Sequence, residues 1–272
     1  MRINEKLSKV ITFMKIRFFF FYILLLLTAN NLSAGNAPYK VKTIVIDAGH
    51  GGHDSGCLGS HSKEKDVALA LALKTGKLIE EKFPDVKVIY TRTTDVFISL
   101  IERANIANRA KADLFISFHC NASKNKAAYG SETYVMGLHV SEANLNVAKR
   151  ENEVILLEDN YEKNYDGFDP SSTEAYIIFS LYQNVNIDKS LYIASKVQEQ
   201  FTNSLKRYNR GVKQAGLVVL YKSNMPAILI EGGFLTNLEE EKFLTSEEGQ
   251  DNIAKSVYLA FKAYKEDLEK VK

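Results

Sequence analysis

Short apolar runs alternate with longer amphipathic stretches from Val41 onward, and this alternation constrains the fold more than any other feature of the sequence. The predicted strands are KTIVIDA (42–48), VKVIYT (86–91) and ADLFISFH (112–119), and the predicted helices between them cover residues 66–82 and 98–110. Each strand is a short apolar run, and each helix has apolar residues on one face. Repeated strand–helix–strand order is typical of an α/β sheet covered by helices on both faces.

The second half of the chain continues this pattern after a long helical region. Further strands are predicted at 130–136, GLVVLY (216–221) and AILIEGG (227–233), with a terminal helix at about 248–270. The region from Gly137 to Gly211 is charged and mainly helical, and Ser171 with Glu174 predicts a capping box there. Because the sequence has no internal repeat or low-complexity tract, we expect one domain with a helical insertion.

The N-terminus has the layout of a secretory signal peptide. Lys15 and Arg17 precede an unbroken apolar run of ten residues, 18–27, which small and polar residues follow. A membrane-spanning helix needs about 20 apolar residues, so the pattern favours a cleaved peptide over an anchor. We expect a signal peptide at 1–34, a mature domain at 35–272, and export to the periplasm or cell surface.

Charge argues against a nucleic-acid-binding protein. The whole chain has 35 basic and 33 acidic residues, and removal of residues 1–34 changes this balance to 30 against 32. The mature chain is therefore slightly acidic, so its charge gives no indication of nucleic-acid binding. Its two cysteines, Cys57 and Cys120, are too few for a disulfide scaffold. We expect two small buried thiols, with a disulfide or zinc ligation as the alternatives.

Two histidines lie at the carboxyl ends of two separate predicted strands, where open α/β sheets bind their ligands. If the two strands are neighbours, His50 and His119 point into one crevice. Glu64 begins the next helix, and the glycine-rich loop Gly49–Gly59 lets the chain return toward that crevice. Two histidines, one carboxylate and an open position for water form a typical hydrolytic zinc site.

Glu231 is the candidate proton acceptor, because a metal-activated water still needs one. It directly follows the apolar residues AILI, where a carboxylate tends to be desolvated. Each candidate alone has a simpler interpretation: a hydrogen-bonded loop histidine, or in Glu64 an acid that favours the helix dipole. Together they favour a metal site, while His53 and His61 in the same loop are weaker candidates for contact with metal or substrate.

Five stretches resemble the successive motifs of the zinc-dependent N-acetylmuramoyl-L-alanine amidases of the amidase-3 type. They are DAGHGGHDSG, the following KEKD, YTRTTDVFISLIERANIAN, FISFHCNAS and PAILIEGGFLTN, and the resemblance extends over about residues 42–265. It implies a twisted, mixed but mainly parallel sheet. It also implies Zn²⁺ bound by His50, Glu64 and His119, with Glu231 as the catalytic glutamate. The implied reaction is hydrolysis of the amide between N-acetylmuramic acid and the L-alanine of the peptidoglycan stem peptide.

Other residues either match this family or depart from it. Arg92, Asp95, Arg103 and Asn108 match the family's TR…D…R…AN stretch, and we interpret them as structural, with Arg92 and Asp95 paired near the cleft. Asn121 stands where many relatives have an acid, so an accessory metal role there is not expected.

Residues 141–185 resemble the regulatory segment of cell-division amidases, especially in the stretch AKRENEV. The resemblance implies a helix that blocks the site until an activator protein, such as one of the LytM type, withdraws it. Glu151 and Glu153 are the candidate acids for the open position on zinc. The alternative is a helical hairpin without a regulatory role.

Two rival functions stay open. One is a zinc peptidase that cuts within the stem peptide, and the other is a non-catalytic wall-binding or activator protein with the same fold. The presence of all four candidate site residues argues against the second, and the identity of the product separates the first. In each case peptidoglycan is the expected partner, in wall turnover or daughter-cell separation, with no nucleic acid and no membrane anchor after signal cleavage.

Overall fold

The computed structural model describes residues 13–15, 17–19, 39–139, 141–180 and 185–270. Met1–Tyr39 and Val271–Lys272 form one unit, and Lys40–Lys270 form the second. Most of the predicted signal peptide lies outside the described residues, and the six described residues within it are helical. Within the described ranges, no helix combines the length and apolarity that crossing a membrane requires.

Strands and helices alternate along the second unit. Their order is β1 (Thr43–Ala48), α1 (Glu64–Lys82), β2 (Lys87–Tyr90), α2 (Leu100–Arg109), β3 (Leu114–Asn121), β4 (Ser131–Met136), α3 (Glu142–Asn152), a 3₁₀ helix (Glu153–Leu157), α4 (Tyr161–Asn164), α5 (Thr173–Ser180), α6 (Ile187–Asn203), β5 (Asn209–Ala215), α7 (Val218–Tyr221), β6 (Ala227–Phe234), α8 (Leu238–Thr245) and α9 (Glu247–Lys270).

The six strands form one mixed sheet in the order β2-β1-β3-β6-β4-β5. The first four of these are mutually parallel, β4 is antiparallel to β6, and β5 is parallel to β4. Ala48 lies opposite Phe118, and His119 lies opposite Glu231. The predicted mixed, mainly parallel sheet is confirmed, and its register brings the carboxyl ends of β1, β3 and β6 to one edge.

Helices cover both faces of the sheet, as predicted. Ile44 and Ile46 of β1 belong to a buried apolar cluster with α1, α6 and α9. Val45, between them, belongs to a second cluster with α2, α3, α5 and α7. Alternate residues of a strand point to opposite faces, so β1 contributes to both cores.

The helical region after β4 forms part of the second core. Leu145 and Ala148 of α3, Ile155 of the 3₁₀ helix and Phe179 of α5 are buried in the same cluster as Phe115 of β3. These helices therefore shield one face of the sheet from water. Removing the whole segment would expose that face, so point substitutions test its function better than a deletion.

One predicted strand is wrong. GLVVLY contains the short helix α7 (Val218–Tyr221), and the edge strand β5 comes before it. Periodicity cannot separate a buried helical turn from a buried strand in so short an apolar run. The strand itself has the half-exposed, polar sequence NRGVKQA, typical of the edge of a sheet.

The helix predicted after Ser171 also differs in detail. Ser172 supplies the cap, because its hydroxyl accepts a hydrogen bond from the Ala175 N–H, while the Ser171 hydroxyl donates to Asp169. Helix α5 is described as far as Ser180, and the predicted continuation over residues 181–184 lies outside the described residues.

A buried ion pair supports the turn after β1. Arg103 Nη1 lies 2.8 Å from Asp47 Oδ1, and the Ser117 hydroxyl donates to the other carboxylate oxygen. Burial raises the pKa of Asp47, but Arg103 and the hydroxyl donors outweigh it and hold that pKa below its usual value. Arg103 also donates to the backbone carbonyls of Ala48 and His50. It therefore fixes the backbone that carries the first histidine.

Arg92 has a similar structural role, but it does not form the predicted pair with Asp95. Its guanidinium donates to the carbonyls of Ala48, Gly49 and Lys65. Asp95 instead forms an ion pair with the Lys65 ammonium at 2.6 Å. A guanidinium satisfies several carbonyls at once, which is why Arg92 joins β1 to α1.

We expect Arg103→Met to lower the free energy of unfolding by about 3–5 kcal/mol, because it leaves the Asp47 carboxylate buried without its cation. Urea denaturation of the two proteins measures the loss. Arg109→Met is the matched control, since Arg109 pairs with Glu102 at the surface and its loss should leave the midpoint nearly unchanged. Equal midpoints for both variants would contradict this role of Arg103.

Candidate metal centre

His50 lies two residues after β1, in a strained turn. Its φ is 58°, which is uncommon for a residue with a side chain, and Gly51 and Gly52 also have positive φ. His50 Nδ1 lies 2.8 Å from Asp54 Oδ2. The other carboxylate oxygen of Asp54, Oδ1, accepts a hydrogen bond from the Gly56 N–H. Asp54 thus fixes the ring orientation and leaves Nε2 for the centre of the site.

His119 lies on β3, beside the turn that carries His50. A Cβ atom on Gly49 would lie 2.4 Å from the His119 ring, so only glycine permits this approach. The two imidazole rings are 4.8 Å apart between centroids. Neighbouring parallel strands therefore deliver two histidines to one crevice.

Glu64, the first residue of α1, is fully buried. Its two carboxylate oxygens accept the backbone N–H groups of Cys57, at 2.8 Å, and Cys120, at 2.9 Å. A Cβ atom on Gly56 would lie 2.7 Å from Glu64 Oε2. The glycine-rich loop therefore packs directly on the carboxylate and returns Glu64 to the two histidines.

Four side chains converge at the centre of the site: His50, Glu64, His119 and Glu151. Glu64 Oε1 lies 3.0 Å from both His50 Nε2 and His119 Nδ1. Glu151 Oε2 lies 3.3 Å and 2.8 Å from the same two nitrogens. One ligand atom from each residue lies within 4.8 Å of the others, and all four residues are buried.

The donor set fits a divalent cation. His50 Nε2 and Glu151 Oε2 are buried, and although both lie within ion-pair distance of other cluster atoms, neither has a partner with hydrogen-bond geometry among the described residues. Buried polar atoms are rarely left in this state, because each loses its interactions with water. Two imidazole nitrogens and two carboxylate oxygens form a ligand set that suits Zn²⁺.

Without a cation, protons compensate the two carboxylates. Burial lowers the pKa of His119, but the Glu151 and Glu64 carboxylates outweigh burial and raise it to about 9. Burial likewise opposes a raised pKa at His50, and Glu64 and Asp54 overcome it. Since metal ligands must be deprotonated, cation binding displaces these protons.

Glu231, on β6, lies beside this cluster and is fully buried. Burial raises the pKa of its carboxyl group well above the usual value, although Arg150 opposes the rise. Arg150 Nη2 lies 3.0 Å from Glu231 Oε1 and 2.8 Å from Glu151 Oε1. Glu231 Oε2 has no partner among the described residues. Helix α3 therefore reaches both the cluster and Glu231.

Sequence reasoning missed Asp54 and Arg150. The spacing between His50 and Asp54 could have identified Asp54, because residues four apart in a tight turn can contact each other. Of the two candidate acids of the insertion, Glu151 joins the cluster, whereas Glu153 is exposed at the start of the 3₁₀ helix.

The weaker candidates lie outside the four-residue cluster. His53 packs on the Phe97 ring, with 4.1 Å between centroids, and the His61 backbone N–H donates to Glu241. Cys57 and Cys120 are free thiols, as expected. Cys120 is buried and Cys57 is partly buried.

Comparison with known proteins agrees with this geometry. The family model described as N-acetylmuramoyl-L-alanine amidase, Amidase_3, matches residues 44–263. The amidase AmiC of Escherichia coli O6:H1 is 33% identical over 227 residues, which cover 81% of this chain and 52% of AmiC. The chain thus spans about half the length of that relative.

Solved structures have the same fold. The crystal structure of an N-acetylmuramoyl-L-alanine amidase from Clostridium difficile 630 matches with a TM-score of 0.62 and 32% identity, covering 83% of this chain and 97% of that one. The CwlD amidase of Clostridioides difficile, in complex with the GerS lipoprotein, matches with a TM-score of 0.61 and 28% identity, covering 82% and 98%. The chain belongs to the N-acetylmuramoyl-L-alanine amidase family.

Proposed function

We propose that this chain is a zinc-dependent hydrolase of peptidoglycan. It cleaves the amide between N-acetylmuramic acid and the L-alanine of the stem peptide. The observation that carries the proposal is the buried cluster of His50, Glu64 and His119 with Glu231 beside it, at the sheet edge of a chain from the amidase family. The three cluster residues are the proposed zinc ligands, and Glu231 is the proposed catalytic residue.

Residues of the chain have separate roles in the proposed reaction. When bound, Zn²⁺ supplies Lewis-acid chemistry that makes water more acidic and polarises the scissile carbonyl. Glu231 takes the proton of the attacking water and passes it to the leaving amine. Burial raises the pKa of its carboxyl group, so the carboxylate has a higher affinity for the proton that it takes from water. Asp54 keeps His50 in the tautomer that presents Nε2.

Helix α3 holds the site closed. Glu151 would take the position that a hydrolytic zinc site leaves open, because its Oε2 lies 2.8 Å from His119 Nδ1, and Arg150 forms an ion pair with the proposed proton acceptor, Glu231. A substrate amide therefore has no access to either group until α3 moves. The closed arrangement supports the interpretation of residues 141–185 as an autoinhibitory segment.

Opening the site requires a partner in this proposal. The lipoprotein complex of CwlD is a precedent for a protein partner of a related amidase. We propose an activator protein, of the LytM type, that withdraws α3 during wall turnover or daughter-cell separation. Activation at the division site would confine hydrolysis to the wall that has to be cut.

Export follows from the substrate. Peptidoglycan lies outside the cytoplasmic membrane, so the proposed site of action is the periplasm or cell surface. The signal peptide at 1–34 and the mature amidase domain at 35–272 stay predictions that this proposal needs.

The first prediction concerns the metal. Asp54→Ala should weaken zinc affinity about 10- to 100-fold, because it removes the carboxylate that orients His50. Competition with a chromophoric chelator measures the affinity. His53→Ala, in the same loop but packed on Phe97, is the matched control and should bind zinc as the parent does. Equal affinities for the two variants would exclude this role of Asp54.

The second prediction concerns the bond that is cut. In the Glu151→Ala chain, mass spectrometry of digested peptidoglycan should detect intact stem peptides with a free L-alanine amine. Adding Glu231→Gln should lower kcat by about 100-fold or more while zinc stays bound, because the proton acceptor is gone. Cleavage inside the peptide would identify a peptidase, and no cleavage by the zinc-loaded Glu151→Ala chain would favour a non-catalytic protein.

The third prediction concerns autoinhibition. Glu151→Ala should raise the basal rate about tenfold or more, because the closed state loses its contact with the metal and becomes less populated. Glu142→Ala, an exposed acid at the start of α3, is the control for charge and helix propensity and should leave the rate unchanged. If Glu151→Ala has the parental rate with zinc bound, the autoinhibitory role fails.

A further inference from the structure

A cavity of about 480 Å³ opens between α3 and the sheet, and Arg150, which is paired with Glu231, divides it from the cavity at His50 and Asp54. Four cationic side chains line it: Lys124, Arg150, Arg210 and Lys213. Arg150 belongs to α3, which also contributes Ala143, Asn146 and Val147 to the wall, but the other three cations belong to β5 and the loop after β3. They therefore stay in place when α3 moves.

The positive charge of this cavity is only partly compensated. Arg210 Nε lies 3.0 Å from Glu132 Oε2, and Lys213 donates to the same oxygen. Lys124 is exposed and has no carboxylate partner among the described residues. Arg210 and Lys213 thus share one acidic side chain, Lys124 has none, and Arg150 is compensated by Glu151 and Glu231.

The cations are held in position and still reach solvent. The Arg210 guanidinium lies 4.8 Å from the centroid of the Phe234 ring. Glu132, which is 2% exposed, is anchored by hydrogen bonds from Tyr134 and Asn121 to its other oxygen. Arg210 and Lys213 keep 32% and 19% of their side-chain surface exposed. A planar guanidinium fixed in this way is suited to a carboxylate.

We infer that this cavity binds a carboxylate of the stem peptide and so selects substrates by the charge of their peptide. The inference rests on the proposed function. Glu132, which lines the cavity, lies directly opposite Glu231 in the pairing of β4 with β6. The cavity is therefore close to Glu231, the group that protonates the leaving amine in the proposed reaction. The leaving amine carries the peptide. The sugar half of the substrate is uncharged at this bond, whereas the peptide half carries carboxylates.

Peptide binding to the full, zinc-loaded Glu151→Ala chain, in which α3 is free to open, tests the inference without turnover. The probes are L-alanyl-γ-D-glutamyl-L-lysine and the same tripeptide with both carboxyl groups amidated, each titrated by isothermal calorimetry. The free acid should bind about tenfold more tightly, because a charge-assisted hydrogen bond is lost on amidation. Arg210→Gln and Lys124→Gln should each reduce this ratio. Lys77→Gln, an exposed lysine of α1, removes the same charge elsewhere and should leave the ratio unchanged.

A kinetic measurement separates this inference from the proposed function. In the Glu151→Ala chain, Arg210→Gln should raise KM for an acidic muramyl tripeptide about tenfold and leave kcat nearly unchanged. Circular dichroism checks that the variants are folded, and Lys124→Gln keeps the test valid if Arg210→Gln does not fold. Equal affinity for the two tripeptides, or an unchanged ratio in both variants, overturns the inference even if the chain is an amidase. Selective binding without hydrolysis supports the cavity and contradicts the proposed function.

Discussion

The buried Glu64 carboxylate is the constraint on which the site depends. A carboxylate without water is costly to bury unless donors or cations compensate it. Two backbone N–H groups bind it, from Cys57 in the glycine-rich loop and Cys120 at the end of β3. The same carboxylate contacts both histidines. Loop, strand and helix therefore meet at one charged group, and a metal ion there would stabilise all three.

Helix α3 adds two adjacent residues of opposite charge to this centre. Glu151 contacts the histidines and Arg150 contacts Glu231, so each of the two charges of α3 lies next to a group that can carry the opposite charge. The pair is neutral as a whole, which keeps the cost of burying it low in the closed state. Withdrawing α3 would return both charges to water together. Because the charges balance, closure by α3 can be reversible. When α3 moves away, the cations of β5 stay in place and can bind the substrate.

Much of the sheet and of the four-residue cluster could be predicted from the sequence, because strand ends, glycines and polar residues stand in a fixed order. His119 and Glu231 end or follow apolar runs and His50 comes shortly after one, and neighbouring parallel strands bring such residues together. GLVVLY was ambiguous, since a fully buried turn has no periodicity. Arg92 binds backbone carbonyls and Asp95 binds Lys65, so the two residues do not pair with each other. The fold brings these partners close, and proximity in the sequence does not reveal them. Glu151 could not be chosen over Glu153 before the position of α3 was known.

Anomalous X-ray diffraction at the zinc absorption edge, from crystals of the full chain grown with Zn²⁺, tests the central claim most directly. The account predicts one strong peak within coordination distance of His50, Glu64, His119 and Glu151, with Arg150 still paired to Glu231. Zinc bound away from the two histidines would contradict the metal centre, and zinc bound there with Glu151 turned away would contradict the closed state.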